Sequence, residues 1–450
     1  MFKKVLIANR GEIAVRVIRA CRELGIQTVA VHSEVDKDSM HVKIADKAVC
    51  IGPGPAIESY LNIPNIISAA TITGCDAIHP GYGFLSENTY FADVCESSGI
   101  RFIGPSKESV HKMGDKIEAR KIMIKNGVSV VPGTTEPISV DNPDLEKIAD
   151  KIGYPLIIKA AMGGGGRGMR VVPSKESLSN AIQTAKSEAK NAFGNDKVYL
   201  ERYVEEPRHI EFQIAADNKG HTVYFPERDC SIQRRHQKLI EESPSPFLDA
   251  DLRKKMGKQA VKAAKAVDYC TVGTIEFLVD KKKNFFFLEM NTRIQVEHPI
   301  TEIVSGVDLV KLQIKLAAGE ELKLESEKIK LCGHAIECRI NAEDPDRDFM
   351  PSPGRINGLN LPGGPGVRLD THIYDGYQIP SFYDSLICKL ITYGYNRKEA
   401  IARMERALVE LKVGGIKTTT PLHKKIMEHD YFRKGDFQTD FLMKHIYGQQ

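Results

Sequence analysis

Two spacings of apolar residues alternate along the first hundred positions. Short unbroken apolar runs occur at 3–8, 28–32, 48–51, 77–79 and 101–103. Between them, at 12–24, 63–73 and 88–97, apolar side chains return every three or four residues. The runs have strand length and the spaced segments have helix period. Strands alternating with helices in this way predict a parallel, doubly wound sheet. The first strand-to-helix turn, Asn9-Arg10-Gly11, holds a single glycine, which excludes the GxGxxG dinucleotide fingerprint. His79-Pro80-Gly81-Tyr82-Gly83-Phe84 is a loop at the same strand ends, where the chemistry of an open sheet collects.

Beyond position 115 the pattern is mixed. Helical spacing at 115–126, 145–152, 252–267, 306–319 and 399–411 is interleaved with apolar strands at 154–161, 169–172, 198–204, 208–216, 221–225, 274–280 and 333–342. A short stretch at 129–131 extends the strand list, DNKG at 217–220 is a hairpin turn, and 323–330 is a charged connection suited to a domain joint. The fold class is therefore α/β and α+β, with several domains. A chain of 450 residues is too long for one core, and two to four domains follow.

Residues 274–299 carry the densest signal. The strand TIEFLVD holds Glu276 in its middle, and NFFFLEMNTRIQVEHP begins apolar and turns abruptly polar at Glu289. Lys281–Asn284 has the length of a four-residue hairpin loop, which would set Asp280 opposite Phe285, Leu278 opposite Phe287 and Glu276 opposite Glu289. Opposed side chains stand ~5 Å apart, where two carboxylates need a cation or a shared proton. Oxygen ligands with Asn291 beside them suit a hard ion such as Mg²⁺ better than zinc. The competing picture is a solvent-facing hairpin with two unremarkable acids. The apolar flanks favour the metal.

Composition narrows the class. Hydrophobic content of 42% and charged content of 27% describe an ordinary globular protein, and a net charge of +4 at this length does not argue for nucleic acid. There is no bilayer-length apolar run and no secretory leader, so a cytoplasmic protein without a membrane segment is expected. The nine cysteines include no CxxC, which points to reduced, buried thiols.

Lys159 lies inside an apolar strand, where a lone ammonium must reach an edge or meet an anion. Directly after it comes Gly163-Gly164-Gly165-Gly166-Arg167-Gly168, between two strands and without the lysine and hydroxyl of a Walker loop. Four consecutive glycines are costly to order as a passive turn, and a hairpin tip whose backbone closes on phosphate oxygens is favoured. ERDCSIQRRHQKLIEE at 227–242 is either a charged, solvated strand or an anion-binding wall in which Gln233, His236 and Lys238 project into a cleft. Paired acids, a glycine flap, Lys116 and Lys159 together suit ATP with bridging Mg²⁺. Arg293, Gln295 and Glu297 alternate and share a face if extended. They suit either a grip on a small oxyanion with Glu297 as general base, or an internal Arg293–Glu297 salt bridge.

Seven strings together identify a resemblance. NRGEIAVRVIRACRELG at 9–25, HPGYGFLSEN at 79–88, MGDK at 113–116, GGGGRGM at 163–169, ERDCSIQRRHQK at 227–238, EMNTRIQVEHP at 289–299 and GHAIECRINAEDP at 333–345 are similar to biotin carboxylase, the ATP-grasp component of biotin-dependent carboxylases. The resemblance implies an N-terminal Rossmann-like domain at 1–114, a central ATP-grasp region at 115–330 with a mobile lid at about 130–204, and a β-rich C-terminal biotin carboxylase domain at 331–450. It implies that Lys116, Lys159, Gly164, Gly165, Gly166, Glu201, Arg202, Tyr203, Val204, His209, Gln233 and His236 hold ATP. Glu276, Glu289 and Asn291 then hold Mg²⁺ or Mn²⁺, the two acids also belonging to the ATP site. Lys238, Arg293, Gln295, the Val296 backbone and Arg339 hold bicarbonate, Glu297 deprotonates it, and Arg339 and Tyr82 border biotin. Arg202 departs from the lysine common in relatives but keeps the charge.

No AMKM-like biotin attachment string occurs, and Met443-Lys444-His445 is the nearest. Biotin is thus expected on a carrier protein of another chain, alongside a carboxyltransferase component, with the chain itself a homodimer. Acetyl-CoA carboxylase in fatty acid synthesis is the first expected context, ahead of a two-subunit pyruvate carboxylase or another acyl-CoA carboxylase. Another ATP-grasp ligase, or a non-catalytic nucleotide-sensing component, stands behind these.

Overall fold

The computed structural model describes residues 1–162 and 168–448. Strands β1 (Lys4–Ile7), β2 (Gln27–His32), β3 (Lys47–Cys50), β4 (Ala77–His79) and β5 (Arg101–Phe102) form a parallel sheet in the order β3-β2-β1-β4-β5. Helices Gly11–Glu23, Ile63–Thr73 and Thr89–Ser97 connect them, as the alternating pattern predicts. The chain reverses direction of travel at β1, which pairs with β2 on one side and β4 on the other. The turn after β1 and the loop after β4 therefore meet at the sheet's carboxyl edge. Asn9 Nδ2 donates to the carbonyls of Pro80 and Tyr82, both at 2.7 Å, and locks the two segments together. Gly81 sits at φ +64°, and a Cβ there would lie 2.9 Å from Asn9 Nδ2, so this closeness requires glycine.

A small antiparallel sheet follows, β6 (Leu156–Ala160), β7 (Met169–Val172) and β8 (Val198–Arg202), in the order β7-β6-β8. Helix Leu178–Phe193 covers it with Leu178, Ile182, Ala185 and Ala189, and this helix is absent from the sequence expectation. Its alanines make a thin apolar stripe that is easily overlooked. The glycine flap expected at Gly164, Gly165 and Gly166 lies outside the described residues.

The third sheet is the largest. It contains β9 (Arg208–Ala216), β10 (Thr222–Tyr224), β11 (Arg228–Arg234), β12 (Gln237–Ser243), β13 (Thr271–Val279), β14 (Phe285–Asn291), β15 (His334–Asn341) and the strands Val367–Thr371 and Leu386–Gly394. Its order is β14-β13-β9-β11-β12-β15, then Leu386–Gly394, then Val367–Thr371, with β10 on β9. Strands on both sides of the 323–330 joint thus belong to one ladder, through β12 and β15. The 129–131 stretch is not a strand; Val130 makes an isolated bridge to Phe287. Residues 227–242 form the β11–β12 hairpin, so neither a single strand nor a fully solvated one.

The register of β13 on β14 differs from the sequence expectation. Glu276 does face Glu289, but Val279 faces Phe285, Leu278 faces Phe286 and Phe277 faces Phe287. Asp280 does not pair with Phe285, nor Leu278 with Phe287. Asp280 belongs to the loop instead, its N–H donating to Asn284 O at 2.9 Å. A shift between Glu276 and Phe277 then absorbs one extra residue of β14 as a bulge and restores the acid pair.

Phe277 is fully buried on the far side of the strand from Glu276, with ring centroids 6.2 Å from Phe212 and 5.7 Å from Phe285. We expect Phe277→Ala to lower stability by about 3–5 kcal/mol, the range for emptying an aromatic core site. Chemical denaturation of the full chain checks this.

Candidate functional site

Three glutamates stand in a row across three strands. Glu211 on β9, Glu276 on β13 and Glu289 on β14 are cross-strand neighbours at one level of the sheet. Like charges so placed repel unless cations answer them. Lys238 on β12 answers most of it: its Nζ lies 2.6 Å from Glu211 Oε2, 2.9 Å from Glu276 Oε1 and 2.7 Å from Glu297 Oε1. Arg228 holds the other Glu211 oxygen at 2.5 Å, and His209 Nε2 lies 2.8 Å from Glu276 Oε2. The Asn291 and Gln295 amides each donate to Glu276 Oε1 at 2.9 Å. Glu289, by contrast, makes no side-chain hydrogen bond or ion pair among the described residues, while lining the same cavity. An uncompensated carboxylate next to Glu276, with the Asn291 amide at hand, is a donor set that fits a hard divalent cation.

The cavity is about 810 Å³. Lys116, Lys159, Glu201, Arg202, Tyr203, Val204, His209, Gln233, His236 and Lys238 line it. Glu276, Glu289, Asn291, Arg293, Gln295, Val296, Arg339 and Tyr82 line it as well, whereas Glu297 is not among the lining residues and Gly164, Gly165 and Gly166 lie outside the described residues. Lys159 meets its anion in Glu201, Nζ to Oε2 at 2.6 Å, and Arg120 holds the second oxygen at 2.9 Å. Arg235 and His236 form the two-residue tip of the β11–β12 hairpin with φ of 46° and 68°. Such tips favour glycine and asparagine, so this pair holds His236 in a costly conformation at the cavity wall.

Residues 292–297 are not extended, and Arg293, Gln295 and Glu297 do not share a strand face. The Arg293–Glu297 salt bridge does not form either. Arg293 Nε lies 2.8 Å from Glu87 Oε2, and its other nitrogens reach Gln295 Oε1 at 2.9 Å and Asn291 Oδ1 at 2.7 Å. Glu297 is fully buried behind the cavity wall, between Lys238 and Arg339, the latter at 2.9 Å. Burial pushes the Glu297 carboxyl up, but Lys238, Arg339 and Arg228 outweigh it and hold it well below the usual carboxylate range. Glu276 is depressed in the same way, burial being outweighed by Lys238 and His209.

Behind Arg339 stand two acids that the sequence pattern does not mark as functional. Glu241 on β12 faces Glu337 on β15. Glu241 Oε1 accepts from Arg339 Nε at 2.6 Å, whereas neither oxygen of Glu337 has a partner among the described residues. Burial lifts Glu241 to about 7, with Arg339 opposing and Glu297 adding to the rise. Burial lifts Glu337 well above the carboxylate range despite Lys389. Nothing in period or spacing signals these glutamates; they sit in apolar strands and look like ordinary strand acids. Glu87, the partner of Arg293, falls within the HPGYGFLSEN string, and its role emerges only from the fold.

Family models match in three consecutive blocks: "Biotin carboxylase, N-terminal domain" over residues 1–110, "Carbamoyl-phosphate synthase L chain, ATP binding domain" over 115–325 and "Biotin carboxylase C-terminal domain" over 337–444. The chain is 57% identical over 443 residues to "Biotin carboxylase 1" of Bacillus subtilis (strain 168), covering 98% of each. The chain belongs to the biotin carboxylase family. It is also 54% identical over 442 residues to a pyruvate carboxylase subunit of Methanothermobacter thermautotrophicus, covering 98% of this chain and 90% of that one. The biotin carboxylase domain dimer of Hydrogenobacter thermophilus 2-oxoglutarate carboxylase, solved with MgADP, ADP and bicarbonate, superposes with a TM-score of 0.95 at 49% identity, covering 99% of this chain and 98% of that one. The biotin carboxylase fold, with its N-terminal parallel sheet, central ATP-grasp and C-terminal domain, is therefore the frame in which the cavity sits. Among the described residues no helix is long and apolar enough to cross a membrane.

In this biotin carboxylase fold the Glu241 proton is bound more tightly when folded (about 7) than at its ordinary 4.5. Its contribution favours folding at low pH and is lost as pH rises through that window. Glu241→Gln lacks this slope. Relative to wild type, its stability should therefore rise by up to about 3 kcal/mol between pH ~5 and ~8, as unfolding midpoints at the two pH values would register.

Proposed function

We propose that the chain carboxylates biotin presented by a separate carrier protein, using ATP and bicarbonate and releasing ADP and phosphate. The observation that carries this is the adjacency of two sets of groups in one cavity: the acids Glu276 and Glu289, and the cations Lys238, Arg293 and Arg339 around a buried Glu297. The working parts are taken as 1–114, 115–330 with a lid at about 130–204, and 331–450.

Lys116, Lys159, His209, Gln233, His236 and the 201–204 segment hold the nucleotide; Gly164, Gly165 and Gly166, assigned to it by the family resemblance, lie outside the described residues. Glu276, Glu289 and Asn291 would hold Mg²⁺ or Mn²⁺, which when bound would supply positive charge against the phosphates. Arg293, Lys238, Gln295 and the Val296 backbone orient bicarbonate. A carboxylate gripped by two cations is a weak base, and Glu297 in this state is gripped by Lys238 and Arg339. An entering anion draws those cations toward itself, which raises the proton affinity of Glu297 when it is needed. Glu297 takes the bicarbonate proton, and the freed oxygen attacks the γ-phosphorus as ADP leaves, giving carboxyphosphate. Carboxyphosphate splits to CO₂ and phosphate. The phosphate takes the N1′ proton of biotin, Arg339 stabilises the enolate, and N1′ attacks CO₂ near Tyr82.

The protein works in the cytoplasm as a homodimer, with the carrier and carboxyltransferase on other chains. Acetyl-CoA carboxylase is the proposed complex. A two-subunit pyruvate carboxylase is the alternative, supported by the 54% identity to a pyruvate carboxylase subunit. The biotinylated chain that co-purifies decides between them.

ATP hydrolysis should depend on bicarbonate and be stimulated by free biotin; a folded protein whose ADP release ignores biotin would refute the assignment. Glu297→Gln should keep ATP affinity while turnover falls roughly 10²–10⁴-fold. In Arg339→Ala, biotin carboxylation should fall far more than nucleotide binding, and equal losses in isothermal titration and turnover would make the residue structural.

A further inference from the structure

Lys389 lies in the middle of the strand Leu386–Gly394, fully buried, and has no place in the chemistry above. A buried ammonium is expensive and persists only where its partners repay desolvation. Its partners here come from distant parts of the chain. Nζ donates to the carbonyl of Val296 at 2.9 Å and lies 3.1 Å from Glu12 Oε1, with Asp370 Oδ2 further off at 3.9 Å. Glu12 stands in the first turn of helix Gly11–Glu23 and accepts a hydrogen bond from the Tyr82 hydroxyl. One ammonium therefore joins the N-terminal block, the 292–297 segment and the C-terminal block.

The placement is directional. Lys389 is the cross-strand neighbour of Arg339, on the same face of the sheet. Arg339 grips the carboxylate of Glu297, and Lys389 grips the carbonyl of Val296. That carbonyl belongs to the peptide unit joining Val296 to Glu297, and Glu297 is the residue immediately before the helix His298–Ser305. Side-by-side cations on adjacent strands thus fix the backbone and the side chain of a single turn. Through Glu12, the same ammonium also fixes the phenol of Tyr82.

We propose that Lys389 is a positioning residue which sets the 296–297 peptide unit and, through Glu12, the Tyr82 hydroxyl, so that the bicarbonate and biotin subsites keep a fixed spacing. The inference rests on the proposed function for the naming of those subsites. It assigns Lys389 no contact with substrate.

The test compares full-length wild type, Lys389→Met and the double variant Glu12→Gln/Lys389→Met, in which the partner acid is neutralised. Steady-state ATP cleavage is measured while bicarbonate, free biotin and ATP are varied separately, with amide hydrogen exchange followed in parallel. The expected result is a roughly 10- to 100-fold rise in KM for bicarbonate and biotin with KM for ATP within about twofold. Exchange should quicken in residues 294–299 and 80–84 and stay unchanged in β13. Parallel movement of all three KM values, or of none, would overturn the proposal. So would loss of the fold in both variants, which would make Lys389 a folding residue. If wild type itself lacks biotin-stimulated turnover, the functional reading fails, and the exchange pattern alone still decides whether the tether exists.

Discussion

Everything at the centre of this molecule depends on one ammonium shared by three carboxylates. Lys238 draws Glu211, Glu276 and Glu297, all three buried, to within 2.6–2.9 Å of a single point at the cavity wall. Removing one member of such a cluster leaves charge stranded and typically costs 3–5 kcal/mol, so the arrangement is tightly specified. The same arrangement is chemically poised. A cation already divided among three acids is available to a fourth anion at little reorganisation, because the partners it releases are still held by Arg228, His209 and Arg339.

The large sheet makes this geometry possible. Residues far apart in sequence reach one level because β9, β13 and β14 are in register at Glu211, Glu276 and Glu289. On the other flank β12 and β15 bring Glu241 and Glu337 together behind Arg339, which lines the cavity. A sheet offers fixed spacing perpendicular to its strands, about 4.8 Å per step, which suits a row of charged side chains better than loops would. The parallel sheet contributes loops instead. Its strand ends present Tyr82 and Glu12 where the row stops.

Much of this is legible in the primary structure. The strand–helix alternation, the hairpin carrying the paired acids and the lysine that must reach an edge or meet an anion all follow from period and charge, and in the structure Glu276 faces Glu289 and Lys159 meets Glu201. The acid pair survives because two departures cancel: a loop one residue longer than expected is offset by a bulge, and neither leaves a trace in composition. Glu297 does not share the expected face with Arg293, because a sequence cannot tell an extended run from a turn leading into a helix. Glu241, Glu337 and Lys389 are invisible for a different reason. Their meaning lies wholly in long-range pairing, and a glutamate in a strand looks the same whether water or another carboxylate stands opposite.

The continuity of β12 into β15 carries a practical consequence for dissecting the chain. A fragment ending near residue 330 would strip β12 of its neighbour and bare a row of open backbone donors and acceptors along Gln237–Ser243. Such an edge recruits whatever strand it meets, commonly another copy. The nucleotide-binding half is therefore a poor candidate for separate expression, although its family match ends cleanly at 325.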